Sequence, residues 1–224
     1  MPRWLRPTAA IAPAAILVGD PGRALLLAQE LLEQPKMSNH ARGLWGYSGR
    51  TPAGDALTIQ ATGIGGPSAA LVLADLAELG VRRAVRVGTC MGFGDNCKLG
   101  ELLLVTAAVA AGGSATSLGV AVGETVLPDA RLTERIEAEL AECGRLEAVA
   151  SFDADPREQA LPPGVVAADM QTAPLFACAR SLGVEAAAVL ITVEIATDEN
   201  ALEKDPLELA EKRAGQLAAA TLSA

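Results

Sequence analysis

The sequence predicts an α/β fold, a single domain of three layers in which helices cover both faces of a mixed, mainly parallel central sheet. Two observations support this fold class. Short apolar segments rich in Val, Ile and Leu alternate with Ala/Leu-rich segments of helical spacing along the 224 residues, and this alternation is typical of a sheet with crossover helices. No Pro-, Gly- or Ser-rich linker divides residues 1–224, so we expect one domain.

The elements of the first half can be assigned in chain order. Ala15–Val18 is expected to be a buried strand, because it is continuously apolar and ends at a Gly-Asp-Pro turn. Ala24–Leu32 is expected to be a helix. Gly43–Gly49 and Ala56–Ala61 flank a turn-rich segment and are expected to pair as a hairpin. A further helix is expected at Gly65–Gly80, with a proline near its start and a glycine at its end.

The second half continues the alternation. Val- and Leu-rich segments are expected to be strands, and the helices between them end close to glycines or at the end of an apolar stripe. The expected elements are strands Arg83–Gly88 and Glu101–Ala110, helix Asp129–Cys143, strand Leu146–Ser151, helix Met170–Leu182, strand Glu185–Val193 and helix Pro206–Leu222.

Composition excludes several classes of function. The chain carries 18 basic and 27 acidic residues, a net charge of −9, and 3% of its residues are aromatic. It therefore lacks the basic, stacking surface that binds polymeric nucleic acid. No segment reaches the ~20 apolar residues of a membrane helix, so we expect neither nucleic acid nor a membrane as a partner. Prolines interrupt the apolar run at Ala9–Val18, so we do not expect a signal peptide.

The cysteine and histidine content indicates neither a metal site nor a disulfide framework. Cys90, Cys97, Cys143 and Cys178 form no Cys-x-x-Cys pair, and the chain has one histidine. We therefore expect no metal, and free, mostly buried thiols in the reducing cytoplasm. His40 is expected at the surface or at an interface, which leaves no base for a Ser-His-Asp site.

Three glycine-rich turns follow expected strands and indicate a ligand site. They begin at Gly19, Thr62 and Gly88; Arg23 lies beside the first turn, and Arg86 lies within the strand before the third. Ligands of such sheets bind at the carboxyl ends of strands, where glycine backbone and helix N-termini favour anions. Each turn alone is best explained as an ordinary loop. Together, and with an arginine inside a strand, they favour an anion site.

The glycine clusters do not match the standard nucleotide motifs. None spells Gly-x-x-x-x-Gly-Lys-Ser/Thr, and residues 63–68 are not Gly-x-Gly-x-x-Gly. No Gly-x-Ser-x-Gly turn, which would present a nucleophilic serine, is present either. We therefore expect neither a P-loop nor a dinucleotide-binding fold.

Three segments resemble a known family. "VGDPGRA" (18–24), "TGIGGPSAALVLADLAELGVRRAVRVGTC" (62–90) and "LGELLLVTAAV" (99–109) are similar to the trimeric and hexameric nucleoside phosphorylases, the uridine and purine nucleoside phosphorylase superfamily. The middle segment is most similar to bacterial uridine phosphorylases, and the similarity returns at residues 167–193. The resemblance implies a nucleoside phosphorylase-like fold and a pentosyltransferase. Such an enzyme cleaves the N-glycosidic bond of a nucleoside with inorganic phosphate, giving a free base and a pentose 1-phosphate.

The resemblance also implies a phosphate site. Gly19 and Arg23 match the family's phosphate loop, although one residue instead of two separates Pro21 from the arginine, and Arg86 and Thr89 match its Arg-x-Gly-Thr element. Arg42, in "RGLWGYSG", matches an arginine that a neighbouring subunit donates.

These matches fix the expected roles and partners. The expected phosphate ligands are Gly19, Arg23, Arg42, Arg86 and Thr89, and the expected catalytic residues are Arg23, Arg86 and Thr89. The resemblance implies a homo-oligomer of dimers that share active sites, or a hexamer of such dimers. It implies no cofactor, with inorganic phosphate as the co-substrate of a small-molecule nucleoside.

The expected sugar site departs from the family pattern. Thr89, Met170 and Gln171 are the expected sugar-binding residues, but Asp169-Met170-Gln171 stands where the family has Glu-Met-Glu. The family's second glutamate binds the ribose hydroxyls, and a neutral amide is a weaker acceptor, so Gln171→Glu is expected to raise activity. Trp4 stands about where the family has a histidine for the 5′ end of the sugar. It favours a 5′-modified or deoxy sugar, or loss of this contact.

The base side is the least specified part of the expected site. Ile64 and Glu194 are the candidates there. In the family pattern, the purine enzymes have an aspartate that protonates the base, and Glu194 lies about one position from the place of that aspartate. Burial would raise the pKa of Glu194 and so allow it to act as an acid. We favour the interpretation that Glu194 is a structural carboxylate or a member of an ion pair. Arg157 and Gln159 lie in the reverse order of a base-binding pair in the uridine enzymes, so their role is not transferred.

Two other functions compete with a phosphorylase. A hydrolytic nucleosidase would use water, and it would not need several arginines. A non-catalytic or altered-specificity nucleoside- and phosphate-binding homologue would explain Gln171, the missing histidine and the short segment before Asp169. Phosphate dependence of base release separates the first alternative from a phosphorylase, and absence of base release identifies the second.

Overall fold

The computed structural model describes residues 2–94, 97–140, 144–198 and 200–223. Strands and helices alternate along the chain as the sequence predicts. The strands are β1 (Ala14–Val18), β2 (Glu33–Asn39), β3 (Gly46–Arg50), β4 (Ala56–Ala61), β5 (Arg83–Gly92), β6 (Leu102–Ala110), β7 (Thr125–Val126), β8 (Gly144–Ser151), β9 (Ala167–Asp169) and β10 (Glu185–Ile195). The helices are α1 (Pro21–Leu31), α2 (Gly66–Glu78), α3 (Gly113–Thr116), α4 (Ala130–Leu140), α5 (Thr172–Leu182) and α6 (Lys204–Leu222).

Parallel pairings form the centre of the sheet. β1 lies between β4 and β5, and β5 also pairs with β10, all in parallel. Antiparallel pairs extend the sheet on both sides, through β3 and β2 on one and β6 and β7 on the other. Because β6, β8 and β9 lead from β10 back to β5, these five strands close into a ring. The predicted mixed sheet is confirmed.

Helices cover both faces of the sheet. On one face, α2 and α5 bury residues such as Leu73 and Phe176. On the other face, α1, α4 and α6 bury residues such as Leu27, Ile136 and Ala218. Removal of this apolar surface from water stabilises the fold. The predicted three-layer arrangement is therefore confirmed.

The structure contains short or polar elements that the sequence pattern does not predict. β2 is an edge strand whose first five residues are exposed and include a proline, so it shows no apolar period. β7, β9 and α3 have two, three and four residues, which is too short for a period to be recognised. β5 continues to Gly92 because it pairs with β10 along ten residues, so Thr89 lies within the strand and not beyond it.

Several helix ends differ from the predicted ones. α1 begins at Pro21 instead of Ala24, because the Asp20 side chain accepts a hydrogen bond from the backbone N–H of Arg23 at 2.9 Å and caps the helix. α5 begins at Thr172, two residues later than predicted, which leaves Met170 outside the helix. The predicted end of α4 at Cys143 lies outside the described residues.

The cysteines and the histidine lie where the sequence indicates. Cys90, Cys97 and Cys178 are free and buried, and His40 is exposed. The prediction for Cys143 falls outside the described residues. Among the helices that the structure describes, none is long and apolar enough to cross a membrane.

Candidate active site

The turn between β1 and α1 brings a buried arginine to the end of the sheet. Because Asp20 caps α1, Arg23 lies in the first helical turn, and its side chain is 8% exposed. Its Nε donates to Oε1 of Glu211 on α6 at 2.6 Å, and its Nη1 lies 3.4 Å from the carbonyl oxygen of Val87. A carboxylate thus balances this buried charge.

Arg86 lies within β5, and each of its side-chain nitrogens donates a hydrogen bond. Nη2 donates to Oδ2 of Asp169 at 2.9 Å, Nη1 to Oε1 of Gln171 at 2.6 Å, and Nε to Oγ1 of Thr172 at 3.2 Å. Burial lowers the pKa of the Arg86 guanidinium, and the ion pair with Asp169 opposes this effect. The group stays charged at neutral pH, since arginine is not deprotonated in proteins.

Asp169, at the end of β9, is held from several sides. Besides Arg86, it accepts hydrogen bonds from Oγ of Ser151 at 2.5 Å and from Oγ1 of Thr172 at 2.6 Å. The backbone N–H of Thr172 also donates to it. These bonds fix the carboxylate, and with it the guanidinium of Arg86.

The turn between β4 and α2 is joined to Arg86 through Gln171. Gly63 and Gly65 have φ angles of 76° and 81°, in the left-handed region that favours glycine. Their carbonyl oxygens accept hydrogen bonds from Nε2 of Gln171 at 2.6 and 3.2 Å. The amide therefore links the glycine turn to the buried cation.

A cavity of about 640 Å³ opens between these turns, at the carboxyl ends of β1, β5, β9 and β10. This is where ligands bind in such sheets. Its lining includes Gly19, Arg23, Ile64, Arg86, Thr89, Met170, Gln171 and Glu194. Nearly every residue that the sequence predicts for the site thus faces one volume.

Arg42 is the predicted site residue that does not line this cavity. It lies between β2 and β3 with a φ of 61°, and its guanidinium lies 5.3 Å from the centroid of the Trp4 ring. Such a cation–π contact orients an exposed arginine. The donation of Arg42 to a neighbouring subunit stays a prediction.

The rim of the cavity carries one guanidinium, that of Arg157, and two carboxylates, those of Asp155 and Glu194. Arg157 pairs with Asp155 through Nη2 and Oδ2 at 2.7 Å, and its Nη1 lies 4.0 Å from Oε2 of Glu194. The contact lowers the pKa of Asp155 and raises that of Arg157, although an exposed pair adds little stability. Ile64 is 85% exposed beside the opening. The structure thus brings Arg157, to which the sequence assigns no role, next to the candidate Glu194.

Cys90, in the cavity wall, is not a nucleophile at neutral pH. Burial raises the pKa of its thiol to about 12, and the thiolate is the reactive form. Among the described residues, no group of three or more His, Cys, Asp or Glu side chains could hold a metal ion. The groups that the cavity offers to a ligand include the arginines and the hydroxyl of Thr89.

Sequence reasoning misses Glu211, although it leaves a signal. Glu211 adjoins the buried stripe Ala210, Ala214 and Ala218 of α6, and it is itself buried. A carboxylate beside a small apolar stripe requires a partner cation. The sequence does not indicate which of its arginines supplies that cation.

The comparisons with known proteins point to one superfamily. The family described as "Phosphorylase superfamily" matches residues 13–223. A DeoD-type purine nucleoside phosphorylase of Caldanaerobacter subterraneus subsp. tengcongensis is 31% identical over 192 residues, 80% of this chain and 82% of that protein. A DeoD-type enzyme of Clostridium beijerinckii is 37% identical over 103 residues, 46% of this chain. The chain spans 43% of the length of this second relative.

A solved structure shares the fold. Uridine phosphorylase from Vibrio fischeri ES114, complexed with 6-hydroxy-1-naphthoic acid, superposes with a TM-score of 0.85 at 24% sequence identity. The match covers 95% of this chain and 91% of that chain. The α/β architecture is thus one that a uridine phosphorylase adopts.

Proposed function

Because the chain belongs to the phosphorylase superfamily, we propose that it is a nucleoside phosphorylase, a pentosyltransferase. It would cleave the N-glycosidic bond of a nucleoside with inorganic phosphate to give a free base and a pentose 1-phosphate. One observation carries the proposal: two buried arginines, Arg23 and Arg86, line one cavity at the carboxyl ends of the sheet. Each of these cations is paired with a carboxylate, Glu211 or Asp169, and each still lines the open cavity, where it can attract an anion.

The phosphate would lie between the two arginines. Gly19 and the first turn of α1 offer backbone N–H groups and the positive end of a helix dipole. Thr89 offers a hydroxyl group. Glu211 and Asp169 already balance the charges of Arg23 and Arg86, so a phosphate dianion would need a further cation. Donation of Arg42 by a neighbouring subunit would supply it. The active form is then a homo-oligomer in which dimers share their sites.

The reaction would proceed by attack of a phosphate oxygen on C1′ of the sugar. The C–O bond to phosphate forms as the C–N bond to the base breaks, and the base leaves with the electron pair of that bond and takes up a proton. Positive charge develops on the sugar ring meanwhile, and the adjacent dianion stabilises it. The chain itself would contribute chiefly by positioning, which lowers the entropic part of the barrier. Inorganic phosphate is then the co-substrate, and no cofactor is needed.

The sugar and the base would occupy the remainder of the cavity. Met170 and Gln171 line the side next to Arg86, where the sugar would lie. Ile64, Glu194 and Arg157 lie at the rim, where the base would lie. The carboxylate of Glu194 can accept a hydrogen bond from one edge of a base, and the guanidinium of Arg157 can donate one to another edge. The free, buried thiols of Cys90, Cys97 and Cys178 favour a cytoplasmic location.

A panel of purine and pyrimidine nucleosides, each incubated with and without phosphate, tests the proposal. We expect base release only with phosphate, with one pentose 1-phosphate per base. Release without phosphate would identify a nucleosidase, and binding without release would identify a binding protein. Thr89→Val is expected to lower kcat/KM by roughly tenfold or more. Thr106→Val, the same change in β6, is the matched control and is expected to leave kcat/KM unchanged.

A further inference from the structure

The indole ring of Trp4 lies against the guanidinium of Arg42, in the turn between β2 and β3. Cζ of Arg42 lies 5.3 Å from the centroid of the ring, within the range of a cation–π contact. Trp4 is partly buried, whereas Arg42 is exposed. The contact therefore joins the start of the chain to the turn that carries Arg42.

The backbone of Trp4 is fixed to the body of the protein. Its N–H donates to Oδ2 of Asp75 on α2 at 2.6 Å, and the N–H groups of Arg3 and Leu5 donate to the same carboxylate at 2.9 and 2.7 Å. Asp75 is buried, and so is Leu5. Because hydrogen bonds to an ionised acceptor are strong, the ring of Trp4 projects from a rigid base.

The turn that carries Arg42 is tied to the same segment through Asn39. Oδ1 of Asn39 accepts from the backbone N–H of Arg6 at 2.7 Å, and Nδ2 donates to the carbonyl oxygens of Leu44 at 2.5 Å and Ala41 at 3.4 Å. Arg42 itself has a φ of 61°, a conformation that a residue with a Cβ adopts at a cost. The bonds on either side of Arg42 hold its backbone in that conformation.

Arg42 differs from Arg23 and Arg86 in what its charge meets. Glu211 and Asp169 balance the other two arginines, whereas Arg42 forms no ion pair within the part of the chain that the structure describes. An aromatic face attracts a cation without cancelling its charge. A carboxylate would also orient the guanidinium, but it would compete with an anionic ligand. Arg42 thus keeps its full charge for a ligand.

We infer that Trp4 is a positioning residue for phosphate binding, whose ring holds the guanidinium of Arg42 where it reaches the phosphate of the neighbouring subunit. The inference rests on the proposed function for the donation of Arg42 to that subunit. When two subunits pair, water leaves the contact, and a desolvated cation–π contact is stronger than an exposed one. Trp4 then acts on phosphate through Arg42 and not through the sugar.

A double-mutant cycle tests the inference by calorimetric titration of inorganic phosphate into the intact oligomer. We expect Arg42→Met to weaken phosphate binding by about tenfold or more, since a charged donor is lost. We expect Trp4→Leu to weaken it by roughly threefold to tenfold. In the Arg42→Met background, which is the matched control, Trp4→Leu is expected to have no further effect, because no guanidinium is left to position.

Further variants and steady-state kinetics separate positioning from a structural role. Trp4→Phe keeps an aromatic face and is expected to restore most of the phosphate affinity. In phosphorolysis, Trp4→Leu is expected to raise KM for phosphate and to leave KM for the nucleoside within about twofold of the wild type. Sedimentation shows whether each variant stays assembled. Trp4→Met, a second change that removes the ring, is measured in the same cycle in case Trp4→Leu does not assemble.

The outcomes distinguish the inference from the proposed function. Wild-type phosphate affinity in an assembled variant without the ring, or additive effects in the cycle, would overturn the inference, while phosphorolysis would still support the enzyme. A higher KM for the nucleoside with unchanged phosphate affinity would also overturn it, since Trp4 would then contact the sugar. If the cycle is non-additive as expected but no nucleoside is cleaved, the inference stands and the proposed function is wrong.

Discussion

The guanidinium of Arg86 folds back over Gly88, two residues further along the same strand, and fills the space that a side chain at position 88 would need. A Cβ atom there would lie under 3.0 Å from Cζ and from both Nη atoms of Arg86. Residues i and i+2 of a strand share one face, so the glycine is what allows the guanidinium to reach Asp169 and Gln171. Gly88 thus sets the position of the cation at the candidate phosphate site.

Replacement of Gly88 by alanine tests this relationship. In Gly88→Ala, the guanidinium must shift and lose part of its hydrogen bonding, so the free energy of unfolding is expected to fall by roughly 1–3 kcal/mol. The affinity for inorganic phosphate is expected to fall by about tenfold, the value of one lost charge-assisted hydrogen bond. Urea unfolding and calorimetric titration measure the two effects.

The control for this change is Gly113→Ala in α3. A Cβ at position 113 would meet Asp153 at 3.7 Å, an ordinary contact, and Gly113 lies away from the cavity. We expect unfolding free energy within about 0.5 kcal/mol of the wild type and unchanged phosphate affinity. Wild-type phosphate affinity in Gly88→Ala would show that Arg86 does not bind the anion.

The ion pair between Arg23 and Glu211 predicts opposite effects on stability and on phosphate binding. In Glu211→Gln, the buried guanidinium of Arg23 loses its counter-charge, so the unfolding free energy is expected to fall by about 3 kcal/mol without phosphate. Phosphate then becomes the counter-ion of Arg23, so its affinity is expected to rise by about tenfold. Thermal unfolding with increasing phosphate measures both effects, since a ligand stabilises the state that binds it.

Glu208→Gln provides the comparison for this pair. It removes the same charge from the same helix, but Glu208 contacts Lys212 at the surface, where such pairs contribute little. We expect the free energy of unfolding of this variant to change by less than about 0.5 kcal/mol, and we expect no change in phosphate affinity. Equal phosphate affinities for both variants and the wild type would mean that Arg23 does not face the anion.

One buried carboxylate, that of Asp75, holds the backbone of residues 3–5. Oδ1 of Asp75 accepts from the backbone N–H of Arg3 at 2.9 Å, and Oδ2 accepts from those of Trp4 and Leu5 at 2.6 and 2.7 Å. In Asp75→Asn, the amide NH₂ cannot accept, so the unfolding free energy is expected to fall by about 2 kcal/mol.

The same variant is expected to release Trp4, and with it the support of Arg42. Tryptophan fluorescence and limited proteolysis near the N-terminus report this release. Asp205→Asn, in the exposed first turn of α6, is the control. It is expected to lower the free energy of unfolding by less than about 1 kcal/mol. An N-terminus as resistant to proteases as that of the wild type would contradict the role of Asp75.

The buried thiols predict slow alkylation of the folded protein. Burial raises the pKa of Cys90 to about 12 and that of Cys178 to about 11, so both are neutral at pH 8. We expect iodoacetamide to spare them in the native state and to modify them in urea, as read by peptide mass spectrometry. Rapid native-state labelling of Cys90 would contradict its burial in the cavity wall.

The same pKa shifts predict a pH dependence of stability. An unfolded thiol ionises at its model value of 9.0, whereas the folded Cys90 holds its proton to about 12. The folded state therefore binds more protons between these values, and the free energy of unfolding falls as the pH rises from 9 to 12. The effect is absent at neutral pH, where both states are protonated. Urea unfolding of the wild type and of Cys90→Ala across this range isolates the contribution of Cys90.

The order of the layers and the residues that follow each strand can be predicted from local sequence. Gly19, Arg23, Arg86 and Thr89 lie in turns or strand ends whose glycine and apolar patterns are recognisable, and parallel topology brings those ends together. In the structure, these four residues line one cavity, while their roles stay predictions.

Two features could not be predicted in this way. One is the pairing of the buried arginines with their carboxylates, and the other is the closure of five strands into a ring. Glu211 lies 188 residues from Arg23, and a local pattern does not report a contact at that separation. The pairing of β10 with both β5 and β6 likewise depends on tertiary packing. The hydrogen bonds of Gln171 depend on the φ angles of Gly63 and Gly65, which glycine permits but does not impose.

Phosphate titration of the double variant Arg23→Met/Glu211→Met tests the central claim most directly. Replacement of a buried ion pair by apolar groups of similar size often leaves stability unchanged, so this variant is expected to fold with unfolding free energy close to that of the wild type. We expect calorimetry to show one phosphate site per chain in the wild type and none in the double variant. Phosphate binding of wild-type affinity in a folded double variant would contradict the proposed anion site.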